Sequence, residues 1–130
     1  MRLVETSIIV RYLVQDVPDM AERATAIIEG TEDLVVTDLV LAETAHVLLS
    51  VYQIHRQRAV DALLEFISRD NIGVLGLEKA LVQQALLLSR PSGRVSIADA
   101  LIWAAVRQAR INEVYSFDER FPDDGLTVLR

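Results

Sequence analysis

Leu34-Val35-Val36-Thr37-Asp38-Leu39-Val40-Leu41-Ala42-Glu43 passes from strand to helix with no loop between them. The first three residues are an apolar run of strand length, and Thr37 or Asp38 can cap a helix that continues to about Tyr52. The same order opens the chain, where Arg2-Leu3-Val4 leads through Glu5-Thr6-Ser7 into a short helix expected over 7–14. Strand-length runs recur at Ile72-Gly73-Val74-Leu75, Val114-Tyr115-Ser116-Phe117 and Leu126-Thr127-Val128-Leu129. Between them lie stretches of helical spacing over about 18–30, 55–70, 77–89 and 96–110, the first opened by Pro18 and closed by Gly30. Pro91-Ser92-Gly93 separates the last two. Strands alternating with helices make βαβ units, so the expected fold class is α/β: a mostly parallel sheet of about five short strands flanked by helices. No repeat, low-complexity segment or linker interrupts the pattern, and one domain over residues 1–130 is expected.

Composition narrows the chemistry. A chain of 130 residues that is 52% hydrophobic can bury one sizeable core. It has no cysteine, which excludes disulfides, thiolate nucleophiles and thiolate-bound zinc. Glu5 and Arg11 interrupt the opening apolar run before it reaches signal-peptide length, and no stretch approaches a membrane span, so a cytoplasmic protein with no membrane association is expected. The net charge of −6 argues against holding nucleic acid mainly by neutralising phosphates. Thirteen residues are basic, and Lys79 is the one lysine among them. Local arginine groups, Arg56 with Arg58 and Arg90 with Arg94, remain able to hold a phosphate bidentately.

Four acids stand where a solvated carboxylate is not expected: Glu5 and Asp118 directly after strands, Glu43 and Asp99 within apolar helix segments. In an open α/β sheet the ligand crevice lies outside the carboxyl ends of the strands. Glu5, Asp118, the first turn of the helix holding Asp99 and the early part of the helix holding Glu43 all belong to that end. Brought together, the four would form a divalent-metal site. Carboxylates about 4 Å apart repel by roughly 1 to 4 kcal/mol per pair, so a cation would relieve real strain.

Each acid also has a plainer reading. Ser96-x-x-Asp99 is a capping-box pattern, and an acid there interacts favourably with the helix dipole. Its neighbours, Ala98 and Ala100 through Val106, make that helix apolar nearly all round, which calls for a partner to the charge. Glu43, with Leu39 and Val47 one turn away, could be a surface glutamate. Glu43-Thr44-Ala45-His46 has the Glu-x-x-His spacing of di-iron bundles, but the second such pair they need is missing. His46 and His55 read as ordinary core, surface or helix-start residues. Asp118 could be a turn former, and Asp123-Asp124-Gly125 reads as a hairpin-like turn. Glu5, or the hydroxyls beside it, could cap the helix that follows.

Taken in order, these strings resemble the PIN-domain family, most closely the VapC-type endoribonuclease toxins of toxin–antitoxin pairs, over essentially the whole chain. Glu5-Thr6-Ser7-Ile8-Ile9-Val10-Arg11-Tyr12-Leu13 is similar to the family's Asp-Thr-Ser/Asn opening, and Leu39-Val40-Leu41-Ala42-Glu43 to its glutamate-bearing helix. Ile97-Ala98-Asp99-Ala100-Leu101-Ile102 is similar to its third acidic motif, and Ser116-Phe117-Asp118 to its closing Thr/Ser-Phe-Asp. The resemblance implies a metal-dependent endoribonuclease, with Glu5, Glu43, Asp99 and Asp118 as catalytic residues and ligands of Mg²⁺ or Mn²⁺. Thr6, Ser7 and Ser116 would be hydrogen-bond partners of those ligands. A homodimer, an RNA substrate and a cognate antitoxin covering the acidic groove are implied as well. The mean hydropathy of +0.29 fits extensive burial in interfaces.

One position departs from the family. Its first acid is usually Asp; Glu5 carries the carboxylate one C–C bond, about 1.5 Å, further out. Catalytic groups tolerate about 0.5 Å of misplacement, so the alternative is a catalytically impaired PIN domain that acts by binding its antitoxin. A phosphorylation receiver or a haloacid-dehalogenase-like phosphatase would also place acids at strand ends. The first needs a lysine after a late strand, and Lys79 is in a helix stretch; the second needs a nucleophilic Asp where this chain has Glu5.

Overall fold

Residues 1–130 are described by a computed structural model. Two buried residues of β2 (Leu34–Val36), Leu34 and Val36, anchor the centre of a parallel sheet. On one side lies β1 (Arg2–Leu3), in register Arg2 with Leu34 and Leu3 with Val35; on the other lies β3 (Ile72–Val74), with Leu34 opposite Ile72 and Val36 opposite Val74. Parallel neighbours require a crossover. The first comprises α1 (Thr6–Val14) and α2 (Pro18–Ile28). The second comprises α3 (Asp38–His46), a π-helical turn (Val47–Val51) and α4 (Arg56–Ile67). Then α5 (Lys79–Ser89) and α6 (Ile97–Gln108) pack on each other before β4 (Glu113–Tyr115) and β5 (Thr127–Leu129).

The α/β class and the run of five strands agree with the sequence reading, and every strand pairing is parallel. The strands fall into two sets, β1-β2-β3 and β4-β5. The turn expected at Asp123-Asp124-Gly125 forms: Leu126 N–H donates to the Asp123 carbonyl at 2.9 Å, and Gly125 takes φ +73°. It makes no hairpin. An earlier turn, closed by Phe121 N–H on the Asp118 carbonyl, reverses the chain first, so β5 returns parallel to β4.

Local chemistry sets the helix ends. Thr37 caps α3 by accepting from Val40 N–H at 3.0 Å, Ser96 caps α6 by accepting from Asp99 N–H at 3.0 Å, and Pro18 opens α2. At the end of α2, a Cβ on Gly30 would stand 2.9 Å from the Ala26 carbonyl, a contact only glycine avoids. Asn71 then ties that corner to β3, its side-chain amide donating to the Ile28 and Glu32 carbonyls at 3.0 and 3.2 Å.

The helices bury a 22-residue core that includes Ile9, Leu41, Leu63, Phe66, Leu86 and Trp103. Trp103 is placed by a 2.8 Å hydrogen bond from its indole N–H to the Asp124 carbonyl. No helix is long and apolar enough to cross a membrane. In each arginine pair considered for phosphate binding, one member has a structural task. Arg90 clamps Asp61 with bonds of 2.7 and 2.9 Å, and Arg56 donates to the Ser89 carbonyl at 3.0 Å.

Because Thr37 joins β2 to α3, its hydroxyl fixes where α3 begins. Thr37→Ala is expected to lower unfolding free energy by about 1 kcal/mol, measured as a lower urea midpoint at unchanged slope. An unchanged midpoint would show that the cap contributes nothing.

Candidate active site

Because β1 and β2 run parallel, their carboxyl ends lie at the same edge of the sheet, and the chain leaves both ends through helix starts. Glu5 is the N-cap of α1. Its Oε1 accepts from Ser7 N–H at 3.0 Å and from the Ser7 hydroxyl. Thr6, only 8% exposed, donates its hydroxyl to Glu43 Oε1 on α3. One cleft of about 340 Å³ is therefore lined by Glu5, Thr6, Ser7 and Glu43, with Val47 and Val51 from the π-helical turn, Tyr52 just after it and Arg11 from α1.

Both carboxylates are exposed, and so is Asp118; Asp99 is half-buried. The expectation that apolar neighbours would bury these acids fails because α3 turns Leu39 outward, 76% exposed, and α6 leaves Ala98 and Ile102 at the surface. A carboxylate on such a face is solvated and needs no protein partner.

Asp99 and Asp118 are not among the residues lining the cleft. The Asp99 side chain accepts no hydrogen bond; only its backbone N–H is engaged, by Ser96. Asp118 belongs to a surface turn. Its Oδ1 accepts from Arg120 N–H at 2.8 Å, its own N–H donates to the Ser116 hydroxyl at 3.0 Å, and Arg130 donates to its carbonyl at 3.1 Å. The Thr6 and Ser7 hydroxyls thus reach carboxylates, of Glu43 and Glu5, whereas Ser116 meets only the backbone N–H of Asp118. No three His, Asp or Glu side chains come close enough together to hold a metal ion between them. The donor set of the cleft is all oxygen, which suits Mg²⁺ or Mn²⁺; Mg²⁺ takes one or two carboxylates and keeps several waters.

A second group was missed in the sequence. Arg11 donates to Asp16 Oδ1 and Oδ2 at 2.9 and 3.1 Å and to the Tyr52 hydroxyl at 3.1 Å, while that hydroxyl donates to Asp16 Oδ2 at 2.8 Å. The Tyr52 hydroxyl, with Arg11 beside it, holds the Asp16 carboxyl below its ordinary range. The hydrogen bond to Asp16 holds the Arg11 guanidinium above its own. A signal was available for Arg11, a charge in the apolar run of α1 one turn after Ser7 and hence on the same face. None existed for Tyr52, which is brought in by the π-helical turn.

The family model for the PIN domain matches residues 2–124. A solved structure of VapC20 from Mycobacterium tuberculosis, described as a toxin that cleaves the sarcin–ricin loop, is similar at 22% identity, covering 98% of this chain and 97% of that one with a TM-score of 0.46. No curated protein matches the chain.

The lowered value at Asp16 fixes the sign of its pH effect. A carboxyl that ionises more readily folded than unfolded adds stability above the ordinary carboxylate range, and that stability is lost as pH falls through the folded value. Tyr52→Phe removes the largest cause and is expected to move the Asp16 midpoint up toward the ordinary range in a carboxyl-carbon NMR titration. An unmoved midpoint would mean that the hydroxyl does not hold Asp16.

Proposed function

The chain belongs to the PIN domain family, and from that premise we propose that it is a divalent-metal-dependent endoribonuclease. In this reading it is the toxin of a toxin–antitoxin pair, a cytoplasmic homodimer neutralised by a cognate antitoxin. The observation that carries the reading is the cleft at the carboxyl ends of β1 and β2, where Glu5 and Glu43 stand together and Thr6 and Ser7 orient them.

Ser7 and Thr6 each engage one carboxylate oxygen, Oε1 of Glu5 and Oε1 of Glu43, and leave the Oε2 atoms without a protein partner. Those free oxygens would hold Mg²⁺ or Mn²⁺. Asp99, on the helix that packs against α3, and Asp118 lie outside the cleft, and in this reading they would have to move toward it to join the ligand set. When bound, the ion supplies polarisation of the scissile phosphate and a lowered pKa for attacking water. Thr6 limits the rotamers of Glu43, and Ser7 those of Glu5, so the two carboxylates need little reorganisation to receive a cation. Leu39 and Val51, exposed beside Glu43, give an antitoxin an apolar rim around an acidic centre.

A second reading has one observation in its favour. Glu5 bends back to cap α1, and no three acids converge, as suits an impaired PIN domain that acts by binding its partner.

Purified protein is expected to cleave RNA only with added Mg²⁺ or Mn²⁺, and Glu43→Gln to slow cleavage at least about tenfold, the lower end of the loss when a ligand's support is removed. Cleavage that survives both chelator and substitution would overturn the nuclease reading. Glu5→Asp separates the two readings, since Asp caps helices as well as Ser does. An inert wild type that gains metal-dependent cleavage on this change supports the impaired domain; a wild type that already cleaves contradicts it.

A further inference from the structure

Beside the acid cleft lies a second one, of about 310 Å³, between α1 and α2. Ser7, Ile8 and Arg11 line it from α1, and Met20, Arg23 and Ile27 from α2. On α2 these positions fall at i, i+3 and i+7, a single helix face. Ser7 and Arg11 also line the acid cleft, so the two depressions share a wall on α1.

Two features of the second cleft bear on what it can hold. Arg23 is exposed, with no ion pair and no side-chain hydrogen bond. Arg11 commits only Nη1 to Asp16 and Tyr52, leaving Nε and Nη2 without partners. In a chain of net charge −6, this places two guanidinium groups at one cleft directly beside the acids. The floor between them is apolar, with Met20 51% and Ile27 41% exposed.

We propose that this second cleft is a nucleotide subsite. It would take the residue of a single-stranded RNA next to the one whose phosphate enters the acid cleft. Met20 and Ile27 offer the base an apolar contact, and Arg23, with the free edge of Arg11, takes the phosphate by charge-assisted hydrogen bonds. The volume is at the lower end of the range for small-molecule clefts, which suits one nucleotide. Position decides for RNA over an acidic peptide, because the cleft borders the site where the nuclease reading requires an RNA phosphate. The subsite thus rests on the nuclease reading, and in Arg23 it adds a second cation to Arg11, holding the strand while two carboxylates repel it.

The test is fluorescence anisotropy with a fluorescein-labelled, mixed-sequence hexaribonucleotide in chelator, so that affinity is read without cleavage. Arg23→Glu is expected to weaken binding at least tenfold and Arg23→Lys by less. Arg23→Ala should reduce the slope of log affinity against log salt by about 0.7, the value for one lost single-strand phosphate contact. Arg110→Glu, the same charge change at an exposed arginine just past α6, should stay within twofold of wild type. The melting curve of Arg23→Glu should match wild type, since that side chain bonds to nothing. No binding by the wild type, or an affinity for Arg23→Glu within twofold of it, would overturn the subsite; the second result is also what a cleft reserved for a protein partner would give. Metal-dependent cleavage alongside unchanged Arg23→Glu affinity would keep the nuclease reading and discard the subsite. Loss of affinity in a protein that never cleaves would do the reverse.

Discussion

The hydrogen bond from the Thr6 hydroxyl to Glu43 joins the first helix to the third, across 37 residues of sequence. It exists because β1 and β2 are parallel neighbours, with Arg2 opposite Leu34 and Leu3 opposite Val35. That register brings the start of α1 beside α3. A shift by one residue would turn each side chain of β1 to the other face of the sheet and carry Val4 out of the core. Burial of Val4, Leu34 and Val36 therefore fixes the spacing of two exposed carboxylates that have no direct bond to each other. The site inherits its geometry from the core.

Electrostatics at this edge is divided by α1. On one side are Glu5 and Glu43; on the other is Arg23, with Arg11 between them and tied to Asp16 and Tyr52. The restraint on Arg11 has a clear physical use. An arginine free to swing would pair with Glu5 or Glu43 and compete with any cation for the same oxygens. Held at Nη1 by Asp16, it keeps its charge at the rim of the acid cleft.

The alternation of strands and helices was legible because apolar periodicity is a local property, and Thr37, Ser96 and Pro18 mark helix starts by chemistry confined to a few residues. The four acids could be singled out for the same reason, each from its own short string. Their exposure was not legible. Leu39 beside Glu43 suggests burial only if apolar residues face inward, and α3 turns Leu39 out. The pairing of Tyr52 with Asp16 spans 36 residues and depends on a π-helical turn, for which no sequence signal exists. The turn at Gly125 was read correctly, while the parallel return of β5 depended on a second turn upstream.

Paramagnetic broadening of backbone amide signals by substoichiometric Mn²⁺ tests the central claim most directly, because it locates a bound cation without requiring catalysis. If Glu5 and Glu43 form the cation site, Thr6, Ser7 and residues flanking Glu43 should broaden first, and Glu43→Gln should abolish the effect there. Broadening confined to other acidic stretches, such as Asp123-Asp124, with Thr6 and Ser7 unaffected, would contradict it.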